Sequence, residues 1–505
     1  MIQNLTFLPI LLPMLAGVIL LMPPCGKNIT SRRITSVVLS AVTFLASLFL
    51  LLKVQADGTQ VYAIGDWSAP FGIVLVADPL STLLVCLTTL LGLVCALYAS
   101  AGDDDKGSFF HPLVHFLILG VNGAFLTGDA FNLFVFFEVL LIASYSLLMH
   151  GGDKKNTRAA LQYVIMNLVG SAVFLIALGV LYGVLGTLNM ADMAQKVATL
   201  QGNDVYLAKI GGLLLLVVFA LKGALLPLHL WLPNTYATAM PVVAALFAIM
   251  TKVGVYSMMR VYTLIFGDEA GELSHMAQSW LWWFALATIA MGAIGVLASK
   301  DLRRLTANLV IVSVGTLVAL VAVQTVEASS AAIYYLVHST LVTAALFLLA
   351  DLIGRQRGKV ADRITAGPPV SQPGLLGVCF LIAAVTVMGM PPLSGFIGKV
   401  WLLKATLNAE YTVVFWPLYL LASLVILIAV SKAGSTVFWH HQAKAIESAG
   451  QERVHPAQLV ALIILISGAP LMSVFAGPLS EYAIGAATQL HDFNNNINLI
   501  LSGGE

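Results

Sequence analysis

Charge is what this sequence has least of. Asp, Glu, Lys and Arg supply 10% of its 505 residues and hydrophobic residues 59%, whereas soluble globular domains carry about 25% charge. That scarcity excludes a water-solvated surface over most of the chain. Cysteine is almost missing too. Cys25, Cys86, Cys95 and Cys379 lie in or beside apolar runs with no C-x-x-C spacing, which argues against an iron–sulfur or zinc site and leaves packing as their role. There is no phosphate-binding glycine motif, no acyl-transfer signature and no basic tail. With a net charge of +1, nothing points to nucleic acid. The residues name no cofactor and no metal.

What is present is apolar sequence in lengths that cross a bilayer. Runs of roughly 18 to 25 residues recur throughout, and the length rule gives about fourteen spans. They fall near 5–22, 34–53, 79–99, 111–127, 131–149, 158–186, 207–232, 238–265, 278–298, 304–324, 331–353, 375–407, 412–437 and 457–477. The expected fold is therefore an all-α integral membrane protein. The longest gap, 54–78, alternates polar and apolar residues around Gly and Pro and reads as a hairpin capping one face.

Basic residues set the orientation. Lys27, Arg32 and Arg33, then Lys154, Lys155 and Arg158, then Lys300, Arg303 and Arg304, then Arg355, Arg357, Lys359 and Arg363 all follow odd-numbered spans. Even loops carry acids instead, such as Asp57, Asp66, Asp268, Glu269 and Glu272. By the positive-inside rule the odd loops are cytoplasmic and both termini face outward. The first span lacks a basic leader and a small-residue cleavage site, so it reads as retained.

In such a chain the informative residues are ionisable groups at membrane depth, each costing about 2.5 to 3.5 kcal/mol to insert near a helix centre. Glu138, Lys222, Lys252, His338 and Lys399 qualify. Each has a bland alternative, a static pin paired to a neighbouring helix. For His338 that alternative weighs most, because a neutral histidine bonding a carbonyl is cheap. Lys432 stands near a cytoplasmic end, where a lysine can reach the interface. His229, His111 and His115 carry a weaker signal.

Prolines and glycines flank two of these lysines. Lys222 is followed by Gly223 and Pro227, and Lys399 is preceded by Gly389, Pro391, Pro392 and Gly395. Both helices are expected to break there, and broken helices at membrane depth survive only inside protein or beside a wet cavity. Two interrupted helices, each with a buried lysine, fit a transporter of two inverted five-helix repeats. The boundaries that follow are 1–110 for three leading helices with the external hairpin, 111–265 for the first repeat, 278–437 for the second, and 457–505 for a last helix and external tail.

Three stretches, FLTGDAFNLFVFFEVLLIASYSLL (125–148), ALKGALLPLHLWLPNTYATAMPVVAALFAIMTKVGVYSMMR (220–260) and GMPPLSGFIGK (389–399), resemble the antiporter-like subunits shared by respiratory complex I and the Mrp-type multisubunit sodium/proton antiporters. TGDAFNLFVFFE looks most like the Mrp D subunit. Lys252 stands where the large Mrp A subunit usually has histidine, and Lys399 where the middle complex I subunit has glutamate. The resemblance implies that Glu138 and Lys222 form the ion pair of a first half-channel. It makes Lys252 the bridging lysine, His338 the histidine of the second half, and Lys399 its terminal lysine.

It further implies a bacterial plasma membrane protein serving pH homeostasis, whose partners are other antiporter subunits, lipid, and Na⁺ and H⁺ as cargo. Burial disfavours a charged lysine and a nearby carboxylate favours it, so a lysine with a movable carboxylate partner can take up or release a proton. The alternatives are a proton-pumping subunit of complex I or a related hydrogenase, and a non-translocating scaffold.

Overall fold

The computed structural model describes residues 3–150, 154–407, 409–440 and 453–501. The helices are α1 (Leu8–Leu21), α2 (Ile29–Asp57), α3 (Pro79–Ala99), α4 (Phe110–Leu126), α5 (Ala130–Met149), α6 (Lys154–Leu185) and α7 (Met190–Val197). They continue as α8 (Asn203–Gly223), α9 (Trp231–Thr238), α10 (Pro241–Phe247), α11 (Met250–Leu264), α12 (Gln278–Ala298), α13 (Leu302–Val323) and α14 (Val326–Gln356). The remainder are α15 (Pro373–Met388), α16 (Ser394–Ala405), α17 (Ala409–Trp439), α18 (Pro456–Val474), α19 (Ala476–His491) and α20 (Phe493–Leu501).

Among the described residues, 11 segments are long and apolar enough to cross a membrane, and Leu5–Leu21, Phe110–Leu126 and Pro373–Met388 are shorter apolar helices. Short polar side chains set many starts. Asn28 accepts from the Thr30 and Ser31 amides, Asp78 and Ser81 form a reciprocal cap, and Asp301 accepts from the Arg304 amide. The hairpin expected in 54–78 is present, with strands β1 (Gln60–Ala63) and β2 (Val74–Ala77) pairing antiparallel.

Burial sorts the helices. Pro241–Leu264, Leu302–Val323 and Val326–Gln356 are 100%, 94% and 89% buried over their apolar windows, against 28% for Ile29–Asp57 and 33% for Tyr411–Trp439. Lys252 and His338 therefore ride on the central helices, and α2 and α17 face outward. Gly254 lets α11 close on α8, since a Cβ there would stand 2.6 Å from the Gly223 backbone nitrogen and 3.0 Å from the Phe219 carbonyl oxygen.

Two features go beyond the expected spans. Much of the C-terminal tail is helical. After α18 the chain forms α19 and α20, and α19 buries Ala483, Ala486, Ala487 and Leu490 while packing on α14 and α3. Small alanines spaced along one face give it a close-packing surface that reads as unremarkable in a hydropathy scan. The last four tail positions, 502–505, lie outside the described residues. The eighth span tightens midway without breaking: α10 and α11 meet through a turn at Ala248 and Ile249, both with right-handed helical backbone, where the Lys252 amide donates to the Ile249 carbonyl at 2.9 Å. No proline marks this turn, so nothing in the pattern announces it.

Loops grouped together by their charge also meet in space. Arg33 donates to Asp104 at 2.5 and 2.8 Å, His111 Nε2 lies 3.0 Å from the same carboxylate, Arg303 reaches Asp362 at 3.3 Å, and Arg355 pairs with Asp351 at 2.7 Å and with Asp103. Burial alone would raise the Asp104 carboxyl, but the hydrogen bonds and charges of His111 and Arg33 outweigh it and hold it at about 2. A depressed carboxyl contributes stability above its ordinary range, lost only as pH falls from about 4 toward 2. Asp104→Ala leaves a buried histidine unpaired, so it should destabilise by about 1–3 kcal/mol. Asp105→Ala removes a carboxylate whose side chain is 62% exposed and should change little. Thermal unfolding of the two variants in detergent checks the contrast.

Candidate functional site

Both expected helix breaks are present, and each exposes backbone groups that side chains recapture. α8 stops at Gly223 and Ala224 turns left-handed at φ 56°, a conformation costing a non-glycine residue roughly 1–2 kcal/mol. The freed Leu226 amide donates to Thr288 Oγ1 at 2.9 Å, and Trp231 Nε1 donates to the Leu221 carbonyl at 3.1 Å. In the second break α15 ends at Met388, Gly389 turns left-handed at φ 71°, and α16 begins at Ser394. There the Met388 carbonyl accepts from Lys399 Nζ at 2.7 Å.

Each lysine thus meets a helix C-terminus at membrane depth. Lys222 lies in the last turn of α8 itself, and Lys399 reaches from α16 to the last residue of α15. The aligned carbonyls of a helix end attract a cation. Pro227, Pro391 and Pro392 lie within the two breaks, as their positions require.

The partners of the ionisable residues are neutral. Lys222 Nζ donates to Asn167 Oδ1 at 2.9 Å and stands 5.4 Å over the Phe137 ring. Lys252, with no accessible surface, donates to Ser313 Oγ at 3.1 Å. His338 Nδ1 is 2.9 Å from Ser394 Oγ. Besides Met388, Lys399 donates to Ser423 Oγ at 3.0 Å. Glu138 accepts from Ser171 Oγ. The direct Glu138–Lys222 pair that the resemblance implies is not formed here. Neighbouring side chains of α6 occupy both groups instead.

Several groups of the second half meet around a cavity. Ser313, Tyr335, His338, Lys399, Tyr419 and Ser423 line a space of about 20 Å³ open to water centres, enough for a single water. Lys252 touches this cavity's wall through Ser313. Toward the first half, Gly223 and Gly254 seat α8 against α11 next to Lys222 and Lys252.

Two weaker sequence candidates stay outside this constellation. Lys432 is exposed on α17. His229 is buried in the first break, its Nδ1 without a hydrogen-bond partner. His115 bonds Ser36 and His111 bonds Asp104, so both hold helices and loops together.

The sequence reading missed the neutral partners and one buried cation. Asn167, Ser171, Ser313, Ser394 and Ser423 carry no charge to flag them, although an amide and a hydroxyl one turn apart in YVIMNLVGSAVFL were visible as polar residues on one face of a span. Arg260 is buried and held in full: its guanidinium pairs with Asp78 and bonds Tyr256 Oη at 3.2 and 3.3 Å. It is what a static pin looks like. Here a bound carboxylate neutralises the cation.

Comparison with known proteins agrees with this architecture. Residues 127–428 match the family model described as NADH:quinone oxidoreductase/Mrp antiporter, TM. The chain is 38% identical to the D subunit of a probable K(+)/H(+) antiporter of Rhizobium meliloti (strain 1021), over 97% of this chain and 96% of that one. It is 39% identical to the D subunit of the Na(+)/H(+) antiporter of Bacillus subtilis (strain 168), over 92% and 94%. A chain of the Mrp complex from Dietzia sp. DQ12-45-1b superimposes with a TM-score of 0.86 at 26% identity, covering 99% of both.

Proposed function

Because this chain belongs to the NADH:quinone oxidoreductase/Mrp antiporter family of membrane proteins, we propose that it is an ion-translocating subunit of a multisubunit monovalent cation/proton antiporter. In this reading it is a secondary transporter subunit in a bacterial plasma membrane, assembled with other subunits. Of about fourteen spans, ten form two inverted five-helix repeats over 111–265 and 278–437, each with one interrupted helix, and both termini lie on the outer face. Protons pass between half-channels along Lys222, Lys252, His338 and Lys399, and Glu138 controls the first step. Relatives named for Na⁺ and for K⁺ support a monovalent cation as the cargo.

One observation carries the reading. The lysines on the proposed path rest on an amide, hydroxyls and a backbone carbonyl, whereas Arg260 and Arg355 are clamped by carboxylates. Buried Arg32 and Arg357 also rest on backbone carbonyls, but a guanidinium cannot give up its proton. A buried lysine can, and a neutral partner tolerates either of its protonation states, which supports a proton path through these positions.

The test is a set of four proteins in everted vesicles, measuring dissipation of ΔpH on sodium or potassium addition across a pH series. Glu138→Gln removes the charge that favours a protonated Lys222, so activity should fall and its pH profile should move to lower pH. Glu138→Asp keeps the charge with a shorter reach and should retain part of the activity. Glu138→Gln combined with Lys222→Ala should cost little more than Lys222→Ala alone, because both act on one step. Fully additive losses, with an unshifted profile for Glu138→Gln, would remove the pair from the path.

A further inference from the structure

The proposed path needs Glu138 to act on Lys222, yet the two do not touch. Both bond one face of a single helix. On α6, Asn167 and Ser171 are one turn apart, so their side chains share a face. Asn167 Nδ2 donates to the Tyr163 carbonyl at 2.8 Å, which turns its oxygen toward Lys222 Nζ, 2.9 Å away. Ser171 Oγ, one turn on, donates to Glu138. Asn167 is 1% exposed and Ser171 8%, so water does not compete for either contact. Since α6 packs against both α5 and α8, this one face meets both the carboxylate and the lysine.

We infer that Asn167 and Ser171 are positioning residues that hold Lys222 and Glu138 apart, so that a displacement of α6 against α5 or α8 decides when the two charges meet. Each contact is one neutral hydrogen-bonding group on one charge. Breaking it exchanges a dipole for a full opposite charge, which makes the switch reversible. The other groups at this level do not substitute for it. On α5, Tyr145 stacks edge-on with Tyr163 at 5.5 Å. On α6, Tyr163 shares its hydroxyl with Ser144 at 3.1 Å. On α11, Lys252 is turned to Ser313. Glu138, on α5, is the carboxylate held on the same face of α6 as Lys222.

This inference rests on the proposed proton path, and its test separates the two. Ser171→Ala releases the carboxylate and Asn167→Leu releases the lysine at similar side-chain volume. Either release lets the ion pair persist. A persistent pair holds the proton on Lys222, so exchange per assembled complex should fall and its pH profile should move to higher pH by about one unit, the equivalent of about 1.4 kcal/mol. In a Glu138→Gln background there is no charge to pair with, and Ser171→Ala should add no shift.

The inference is overturned if both profiles stay in place, or if Ser171→Ala shifts the profile equally with and without the Glu138 carboxylate, which is what a packing role gives. Should Asn167→Leu fail to assemble, Ser171→Ala alone decides, as it removes one oxygen. If instead Lys222→Ala and Glu138→Gln leave exchange intact, the proton path itself fails, whatever α6 does.

Discussion

Vesicles carrying Lys222→Ala should show no cation-driven ΔpH dissipation, a loss of roughly a hundredfold or more, as removal of a proton-transfer group gives, while the subunit inserts and assembles in near-normal amount. The energetics of assembly argue for that separation. Truncating the lysine relieves an insertion cost of about 2.5–3.5 kcal/mol and leaves Asn167 Oδ1 without its donor, a penalty of about 1–3 kcal/mol. The two nearly offset. A pinning lysine behaves in the opposite way, because its loss would strand a contacting carboxylate, and no carboxylate contacts Lys222 here. The comparison is transport per assembled complex against the amount assembled. Poor assembly with normal specific transport would overturn the reading.

Lys399 separates two roles that coincide in one side chain. It closes the carbonyl end of α15 through Met388 and bonds Ser423 beside the cavity that His338 also lines. Lys399→Ala should therefore abolish exchange and also lower the thermal stability of the complex: the Met388 carbonyl and the Ser423 hydroxyl both lose their donor, at about 1–3 kcal/mol each, and Lys399 is only half-buried, so its truncation relieves less insertion cost than that of Lys222. Lys399→Arg can still donate to that carbonyl, but a guanidinium stays protonated at any pH the cell meets. Its assembly and melting should approach the unsubstituted complex while exchange is lost as fully as with alanine. Exchange surviving in Lys399→Arg would mean that the position supplies a fixed charge and gives up no proton.

Much of this molecule was legible before any coordinates. Bilayer-length apolar runs dictate helices because unpaired backbone groups cannot be left in hydrocarbon, and Pro227, Pro391 and Pro392 dictate where two of them break because proline lacks the donor a helix needs. Buried charges stand out against leucine and valine, so Glu138, Lys222, Lys252, His338 and Lys399 could be singled out by composition alone.

Their contacts could not, because each depends on which helices become neighbours. Asn167 and Ser171 answer Lys222 and Glu138 from α6, Ser313 answers Lys252 from α13, and Ser394 answers His338 from across the second break. Partners like these are short, neutral and common in membrane helices, and a hydropathy pattern weighs them as filler. The tightened turn before Lys252 and the packed alanine face of α19 were hidden for the same reason, since close approach between helices is decided by small residues meeting in space. Residue order alone prescribes a membrane protein with two broken helices and a row of ionisable groups within its spans. That those groups rest on neutral donors and acceptors, and that Glu138 and Lys222 stand apart, emerges only once the helices are docked, because a hydrogen bond of about 3 Å joins residues remote in sequence.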